Sequence, residues 1–359
     1  MTTDLLPDNI AALKAYSSAK SEKLSGTTWL NANESPYSKS YNVSASNLNR
    51  YPDPQPPAVI EAYARYSELQ PEQVLMTRGA DEGIELLMRT YCQSGVDSIA
   101  LFTPTYGMYK VSADTHNIGI NELSQAQLQQ ASASELSELV DEAKLVFICN
   151  PNNPTGALIS VDKIAELAQR LAKRAIIVVD EAYIEFCYQH SAAQLIKTNA
   201  NIVVLRTLSK AFALAGLRTG FTLAQQDTLA PLRKVIAPYP VATVIADIAK
   251  QAVSSANIIS MRRQVSILNT LKAQLVDWLQ SSAAISQVLT GEGNFVTLQL
   301  RDKAAIGLAY ERGLVMRPFT LFGEDNWLRI SIGNEQELNE VKAWLDSLAS
   351  PAPTTKEPQ

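Results

Sequence analysis

Between residues 56 and 236 the chain alternates short apolar, β-branched runs with longer amphipathic stretches. The runs over 74–77, 98–102, 145–149, 176–180, 201–206 and 217–223 are of strand length. The AIIVV segment at 175–179 is apolar at every position, as a strand buried on both faces of a sheet requires. Stretches over 56–69, 81–91, 161–173 and 227–236 instead repeat apolar residues at helical spacing. This βα alternation predicts an α/β fold with a mostly parallel central sheet flanked by helices. After Pro238 and Pro240 a long helical pattern over 241–280 carries the chain into a strand, strand, helix, strand, helix pattern over 285–290, 295–300, 304–312, 327–332 and 335–349, read as a smaller α+β domain. The expected organisation is an N-terminal arm (1–25), a large domain (45–235), a small domain (26–44 and 236–349) that includes the long connecting helix, and a Pro-rich, polar, disordered tail (350–359).

At 359 residues with 46% hydrophobic content, the chain is large enough for two such domains. It holds only two histidines, His116 and His190, and three cysteines, Cys92, Cys149 and Cys187, with no CxxC pair, so neither a disulfide framework nor a metal site is expected. The N-terminus lacks a basic segment followed by an apolar block, and no run approaches the ~18 apolar residues of a membrane span, so the expected setting is cytoplasmic, without a membrane. A net charge of −5 with dispersed Lys and Arg gives no footprint for nucleic acid. No glycine is followed by lysine, which excludes a GxxxxGK[ST] phosphate loop, and GEGNFV at 291–296 has Val where a dinucleotide fingerprint needs its third Gly. GxSxG and HExxH patterns are absent too.

Ligands of open α/β sheets bind at the carboxyl ends of the strands. Here those ends read RGADEG, TPTYGMY, NPNNPTG, DEAY and RTLSK, which together supply acids, amides, hydroxyls, a tyrosine and one lysine. Asp180 and Glu181 imitate the acidic pair of an ATPase, a reading that fails without a phosphate loop; Asp180 alone is equally read as a helix cap. Lys210, at an expected strand-to-helix turn with apolar neighbours, stands where burial favours a nucleophilic amine. Thr207, Ser209 and Arg218, with the free N–H groups at the helix start in GADEG, make an anion site suited to phosphate. A Schiff-base lysine, a phosphate cup, a buried carboxylate and an aromatic face are what pyridoxal phosphate requires.

The blocks NPNNPTG, DEAY and TLSKAFALAGLRTGF, in this order, resemble the fold-type I pyridoxal-phosphate-dependent aminotransferases. With LNANESPY, RYPDPQP, RGADEGI, PTYGMY and LRISIG added, the chain resembles the histidinol-phosphate aminotransferase family over residues 5 to 349. That resemblance implies a large domain that binds pyridoxal 5′-phosphate. Lys210 is its covalent anchor and proton carrier, and Asp180 the partner of the pyridine nitrogen. Tyr183 and Asn153 act on the phenolic oxygen, and Tyr106 stacks on the ring. Thr207, Ser209, Arg218 and the backbone of Ala80 and Asp81 take the phosphate. Tyr51 is implied to reach the phosphate of the neighbouring subunit's cofactor, making a homodimer with shared active sites. Arg329 is implied to clamp a substrate carboxylate, and Arg317, helped by Tyr16 and Asn33, the phosphate of histidinol phosphate. The implied reaction passes the amino group of L-histidinol phosphate to 2-oxoglutarate, giving imidazole-acetol phosphate and L-glutamate, in L-histidine biosynthesis. Ser35 departs from the family, which often carries Asn there; its expected effect is confined to the turn.

Two other readings stay open on the sequence. An aromatic amino acid aminotransferase, or a related enzyme acting on an amino phosphate, would use the same cofactor residues. A non-catalytic regulator built on the same domain would need an added DNA-binding segment, for which the arm leaves little room.

Overall fold

The computed structural model describes residues 5–13, 25–44 and 46–349. The chain divides into two units. Unit 1 holds the described residues of Met1–Tyr16 and of Ser38–Val265, with Gly291–Gly293; unit 2 holds Ser266–Thr290, the described part of Ser17–Tyr37 and the described residues from Asn294 on.

Unit 1 is built on a seven-stranded sheet of β1 (Val74–Thr77), β2 (Ser98–Thr103), β3 (Gly119–Ser124), β4 (Ala143–Cys149), β5 (Ile176–Asp180), β6 (Ile202–Thr207) and β7 (Gly220–Leu223). Their spatial order is β1-β7-β6-β5-β4-β2-β3. The run from β6 to β3 is parallel, and β7 lies antiparallel between β1 and β6. Helices α1 (Pro57–Ser67), α2 (Gly79–Tyr91), α3 (Met108–Thr115), α4 (Val161–Arg170), α5 (Gln226–Val235) and α6 (Thr243–Ala252) accompany it. Strand residues such as Leu145, Val178, Val203 and Leu205 pack with Ile84, Leu87 and Leu232 of the helices in one core, which explains the uninterrupted apolar runs.

The structure departs from the sequence pattern where the hydrophobic signal is weak. The strand expected over 217–223 begins only at Gly220, because a 3₁₀ turn at Ala215–Leu217 and a left-handed Arg218 (φ 54°) first redirect the chain. β3 is an edge strand with only Leu123 buried, so GINELS shows no apolar run. The short helices Gln125–Gln130 and Ala133–Leu139 are announced by capping boxes, Ser124 with Gln127 and Ser132 with Glu135, rather than by periodicity. The expected helix over 241–280 is two helices, α6 and α7 (Ser255–Ser281). Between them Ser254 Oγ and Asn257 Nδ2 each donate to the Gln251 carbonyl at 2.7 Å, satisfying an orphan group at the end of α6. α6 packs on α1, and the division between the units falls at 265/266, inside α7.

Unit 2 holds an antiparallel sheet of β8 (Ile285–Leu289), β9 (Phe295–Leu300), β10 (Arg317–Leu321) and β11 (Glu324–Ser331), in the order β10-β11-β9-β8. Helices α8 (Ala304–Glu311) and α9 (Glu335–Ala349) pack together, with Trp344 Nε1 donating to the Ala305 carbonyl at 3.1 Å. Thr28–Trp29 pairs in parallel with Leu314–Val315. β10 is absent from the sequence pattern because it carries Pro318, which a sheet tolerates on an edge strand such as this. No described helix is long and apolar enough to cross a membrane.

Candidate active site

The parallel strands β4, β5 and β6 are neighbours, so their carboxyl ends open on the same edge of the sheet. Asp180 ends β5 and is 2% exposed. Tyr109 Oη donates to its Oδ2 at 2.6 Å, and the Ala182 N–H donates to Oδ1 at 3.1 Å. Burial pushes the carboxyl up to about 6; these two donors pull it down, and the charges of Asp81 and Glu181 add to the rise. Tyr109 sits on α3 with its ring stacked on Phe147 (centroids 4.9 Å apart, 23° between planes). Burial, with the charge of Asp180, raises its phenol well above the ordinary range, so it remains a donor at any working pH.

Lys210 follows β6 in a turn, not at the helix start expected for it. Residues 208–214 form no helix, because the chain folds back on itself: Leu214 N–H donates to Leu208 O at 3.0 Å and Ala213 adopts φ 59°. The half-buried lysine lies between buried Ser209 and Ala211, its Nζ 5.6 Å from the centre of the Tyr183 ring. Tyr183 is itself buried, in the turn that follows β5. Asn153 is buried in the loop after β4, which Asn150 and Asn152 pin. Asn150 brackets Ile159 through its side-chain amide (2.9 and 3.3 Å), and Asn152 Nδ2 donates to Pro104 O at 2.9 Å while its Oδ1 accepts from Thr105 Oγ1 at 2.9 Å.

An anion cup stands beside them. α2 starts at Gly79, and Arg78 makes no side-chain cap on its first amides; Arg78 is drawn to Glu82 instead, Nε to Oε1 at 2.8 Å. Gly79 (φ 79°) is glycine for two reasons, its left-handed backbone and the guanidinium of Arg218, whose Nη2 would stand 2.8 Å from a Cβ. A Cβ at Gly220 would come within 2.5 Å of Gly79 C and 2.7 Å of Ala80 N, so β7 and the start of α2 touch backbone to backbone. Thr207 Oγ1 lies 2.9 Å from Ser209 Oγ, which accepts from Arg218 Nη1 at 3.3 Å. Arg218 Nη2 pairs with Asp81 Oδ2 at 3.1 Å, and Tyr106 Oη donates to Asp81 Oδ1 at 2.9 Å. The residues expected around the cofactor, Ala80, Asp81, Tyr106, Asn153, Asp180, Tyr183, Thr207, Ser209, Lys210 and Arg218, all belong to unit 1.

Tyr51, also in unit 1, is 80% exposed and stacks on Tyr239 (centroids 4.4 Å apart, 13°). Within unit 2, Arg329 on β11 and Arg317 on β10 are direct register partners. Arg329 Nη2 donates to Asn31 O at 3.0 Å, and its Cζ lies 5.7 Å from the centre of the Phe295 ring. Asn33 is buried with φ 53°, its N–H donating to Ser331 Oγ at 2.8 Å and its carbonyl accepting from Asn294 Nδ2 at 3.0 Å. Ser35 Oγ accepts from Tyr37 N at 3.3 Å, closing the turn where the family often has Asn. Tyr16 lies outside the described residues.

Three features of the site are not apparent from the sequence blocks alone. Tyr109 belongs to the PTYGMY block, and its spacing of three from Tyr106 is the available signal. The Asp81 side chain, not only its backbone, ties Tyr106 to Arg218. Arg206 lies within an apolar strand run, where a buried charge demands a partner.

The family model for aminotransferase class I and II matches residues 19–343. Histidinol-phosphate aminotransferase of Aeromonas hydrophila subsp. hydrophila is 45% identical over 345 residues, covering 96% of this chain and 97% of the relative. The enzyme of the same name from Yersinia pseudotuberculosis serotype O:1b is 45% identical over 349 residues, covering 97% of this chain and 91% of the relative. Among solved structures, histidinol-phosphate aminotransferase from Sinorhizobium meliloti in complex with pyridoxal-5′-phosphate aligns with a TM-score of 0.84 at 21% identity, covering 96% of this chain and 98% of that one, a likeness of fold. With a family match over most of its length and relatives at 45% identity end to end, the chain belongs to the histidinol-phosphate aminotransferases of the class I and II aminotransferase family.

Proposed function

We propose that this chain is a pyridoxal-phosphate-dependent aminotransferase that passes the amino group of L-histidinol phosphate to 2-oxoglutarate, giving imidazole-acetol phosphate and L-glutamate, in L-histidine biosynthesis. The observation that carries the reading is the buried Asp180 carboxyl at the end of β5, one strand away from the turn that bears Lys210. The donor set fits the cofactor. A buried acid invites a cationic ring nitrogen, a lysine amine stands beside a tyrosine face, and the cradle at Gly79, which a Cβ would fill, lies against Arg218, Ser209 and Thr207.

Pyridoxal 5′-phosphate, when bound, supplies the electron sink that lets a proton leave the carbon bearing the substrate amine. Every other task falls to the chain. Lys210 Nζ anchors the cofactor, then accepts the proton from that carbon and returns it one position along. The Asp180 carboxylate holds the proton on the pyridine nitrogen, kept in place by Tyr109 and the Ala182 amide. Tyr183 and Asn153 donate toward the phenolic oxygen, and the Tyr106 ring stacks on the cofactor. Arg218, Ser209, Thr207 and the amides of Ala80 and Asp81 bind its phosphate.

Arg329 takes the substrate carboxylate, for which a planar guanidinium is suited, and Arg317 with Tyr16 and Asn33 takes the phosphate of histidinol phosphate. We further propose a homodimer in which Tyr51, well exposed here, reaches the phosphate of the neighbouring subunit's cofactor. The setting we propose is cytoplasmic, with small-molecule substrates, no nucleic acid and no membrane as partner. We take 1–25 as an N-terminal arm; the tail expected over 350–359 lies outside the described residues.

Comparing kcat/KM for histidinol phosphate, phenylalanine and phosphothreonine tests the substrate. Preference for histidinol phosphate is expected; preference for phenylalanine would assign the chain to the aromatic aminotransferases instead.

A further inference from the structure

Side chains alternate across a strand, so the strand ends that turn Asp180 and Thr207 one way turn Glu181 and Arg206 the other. On that second face lies a cluster the functional reading leaves unused. Arg206 is 0% exposed. Its Nε donates to Glu181 Oε2 at 2.6 Å, its Nη1 to Glu185 Oε1 at 3.3 Å and its Nη2 to Ser191 Oγ at 2.9 Å. Glu181 is further held by Ser191 Oγ (3.1 Å) and the Ala192 N–H (2.5 Å). Tyr66 of α1 donates to Glu185 Oε1 at 3.4 Å, Tyr188 lies against the guanidinium with its ring centre 5.4 Å from Cζ, and Arg262 of α7 lies 6.0 Å from the same ring.

One guanidinium between two buried carboxyls compensates one negative charge. Glu181, with three close donors, is the better home for it. Glu185 has two long contacts on Oε1 and a buried Oε2 without a hydrogen-bond partner, as Tyr63 Oη is too. We propose that Arg206 and Glu181 are positioning residues for the cofactor-bearing strand ends, and that Glu185 completes their cluster as a neutral acid.

The coupling runs through the backbone. Glu181 N–H donates to Leu205 O at 2.9 Å, locking β5 to β6 between Asp180 and Arg206, and the Tyr183 turn closes on the Glu181 carbonyl through Ile184 N–H at 3.2 Å. Lys210 follows Arg206 by four residues on the same segment. Burial also holds the Glu185 carboxyl up, to about 7, against the pull of Arg206.

The inference rests on pyridoxal phosphate being the cofactor. Its test is uptake of pyridoxal phosphate by the whole protein, read as Kd and as the pH midpoint of the visible band of the lysine-bound cofactor, with far-UV circular dichroism to check folding. At about pH 6, where the Glu185 carboxyl is protonated, E185Q, the isostere of a neutral acid, should stay within about twofold of wild type in Kd, whereas E181Q and R206K should weaken uptake about tenfold or more and move the midpoint. S191A, a milder lesion that keeps the charges, should weaken uptake about threefold and move the midpoint the same way. The inference is overturned if E185Q weakens uptake as much as E181Q, or if S191A and whichever of E181Q and R206K fold leave both readouts at wild-type values. A wild type that takes up no pyridoxal phosphate contradicts the functional reading itself, and this inference with it.

Discussion

Arg317 and Arg329 face each other directly across β10 and β11. Two guanidiniums in opposed register concentrate positive charge on one face of the sheet, which suits the pair to binding anions. Replacing Arg329 with Ala should raise KM for glutamate and 2-oxoglutarate roughly 10- to 100-fold, the loss expected for a charge-assisted hydrogen bond, with a smaller effect on histidinol phosphate. Arg317→Ala should do the reverse. Steady-state kinetics with each substrate varied in turn checks both, and equal losses for both substrates in either variant would contradict the division of labour.

Lys210→Ala should bind pyridoxal phosphate without the visible band of a lysine conjugate and lose turnover by roughly a thousandfold or more, because anchor and proton carrier disappear together. Absorbance spectra and rates check this; substantial residual turnover would count against Lys210.

The Tyr109 hydroxyl stabilises the charged form of Asp180, whose carboxyl burial pushes up to about 6. Pairing with a pyridine nitrogen needs that charge, so affinity for the cofactor should fall as pH drops below about 6. Tyr109→Phe removes the donor, pushes the carboxyl further up and should move this fall about one pH unit higher. Binding isotherms across pH measure it, and an unchanged profile would rule out the contact as an influence on Asp180.

Burial raises both Glu185, to about 7, and Asp180, to about 6, above ordinary carboxyl values. The folded, cofactor-free protein therefore holds protons that the unfolded chain has released. These groups' contribution to stability is fully present below about pH 4, and is lost as pH rises through 6 and 7. Melting temperature should fall between about pH 5 and 8, and E185Q should remove the upper part of that fall. A melting temperature that rises across the window in wild type, or an identical slope in E185Q, would contradict the assignment.

Gly220→Ala would drive a Cβ to within 2.5 Å of Gly79 C, where backbone meets backbone and neither side can yield by a rotamer change. Stability should drop by about 1–3 kcal/mol as for an overpacked core, and phosphate affinity should fall with it as the start of α2 shifts. Chemical denaturation and phosphate inhibition measure the two.

The apolar strands were legible because burial on both sheet faces leaves an unbroken signal, as in Ile177 to Val179. The edge strands were not: GINELS exposes most of its residues, and RPFTL contains a proline. Much of the candidate site was readable because its residues lie in short blocks at strand ends. The contacts of Tyr109, Glu181, Glu185 and Arg206 are not legible in the sequence because they depend on which residue lies across the sheet or on the neighbouring helix. Asp180 is followed directly by Glu181, yet one faces Tyr109 and the other Arg206. Only the pairing of β5 with β6 and the docking of α1 and α3 define those surroundings.

The proposed reaction transfers an amino group from histidinol phosphate to 2-oxoglutarate. L-Histidinol phosphate carrying ¹⁵N in its amino group alone, incubated with 2-oxoglutarate and the pyridoxal-phosphate-loaded protein, tests it directly. ¹⁵N-glutamate and unlabelled imidazole-acetol phosphate are expected in equal amounts; label that stays in histidinol phosphate, or leaves as ammonia, would contradict the transfer.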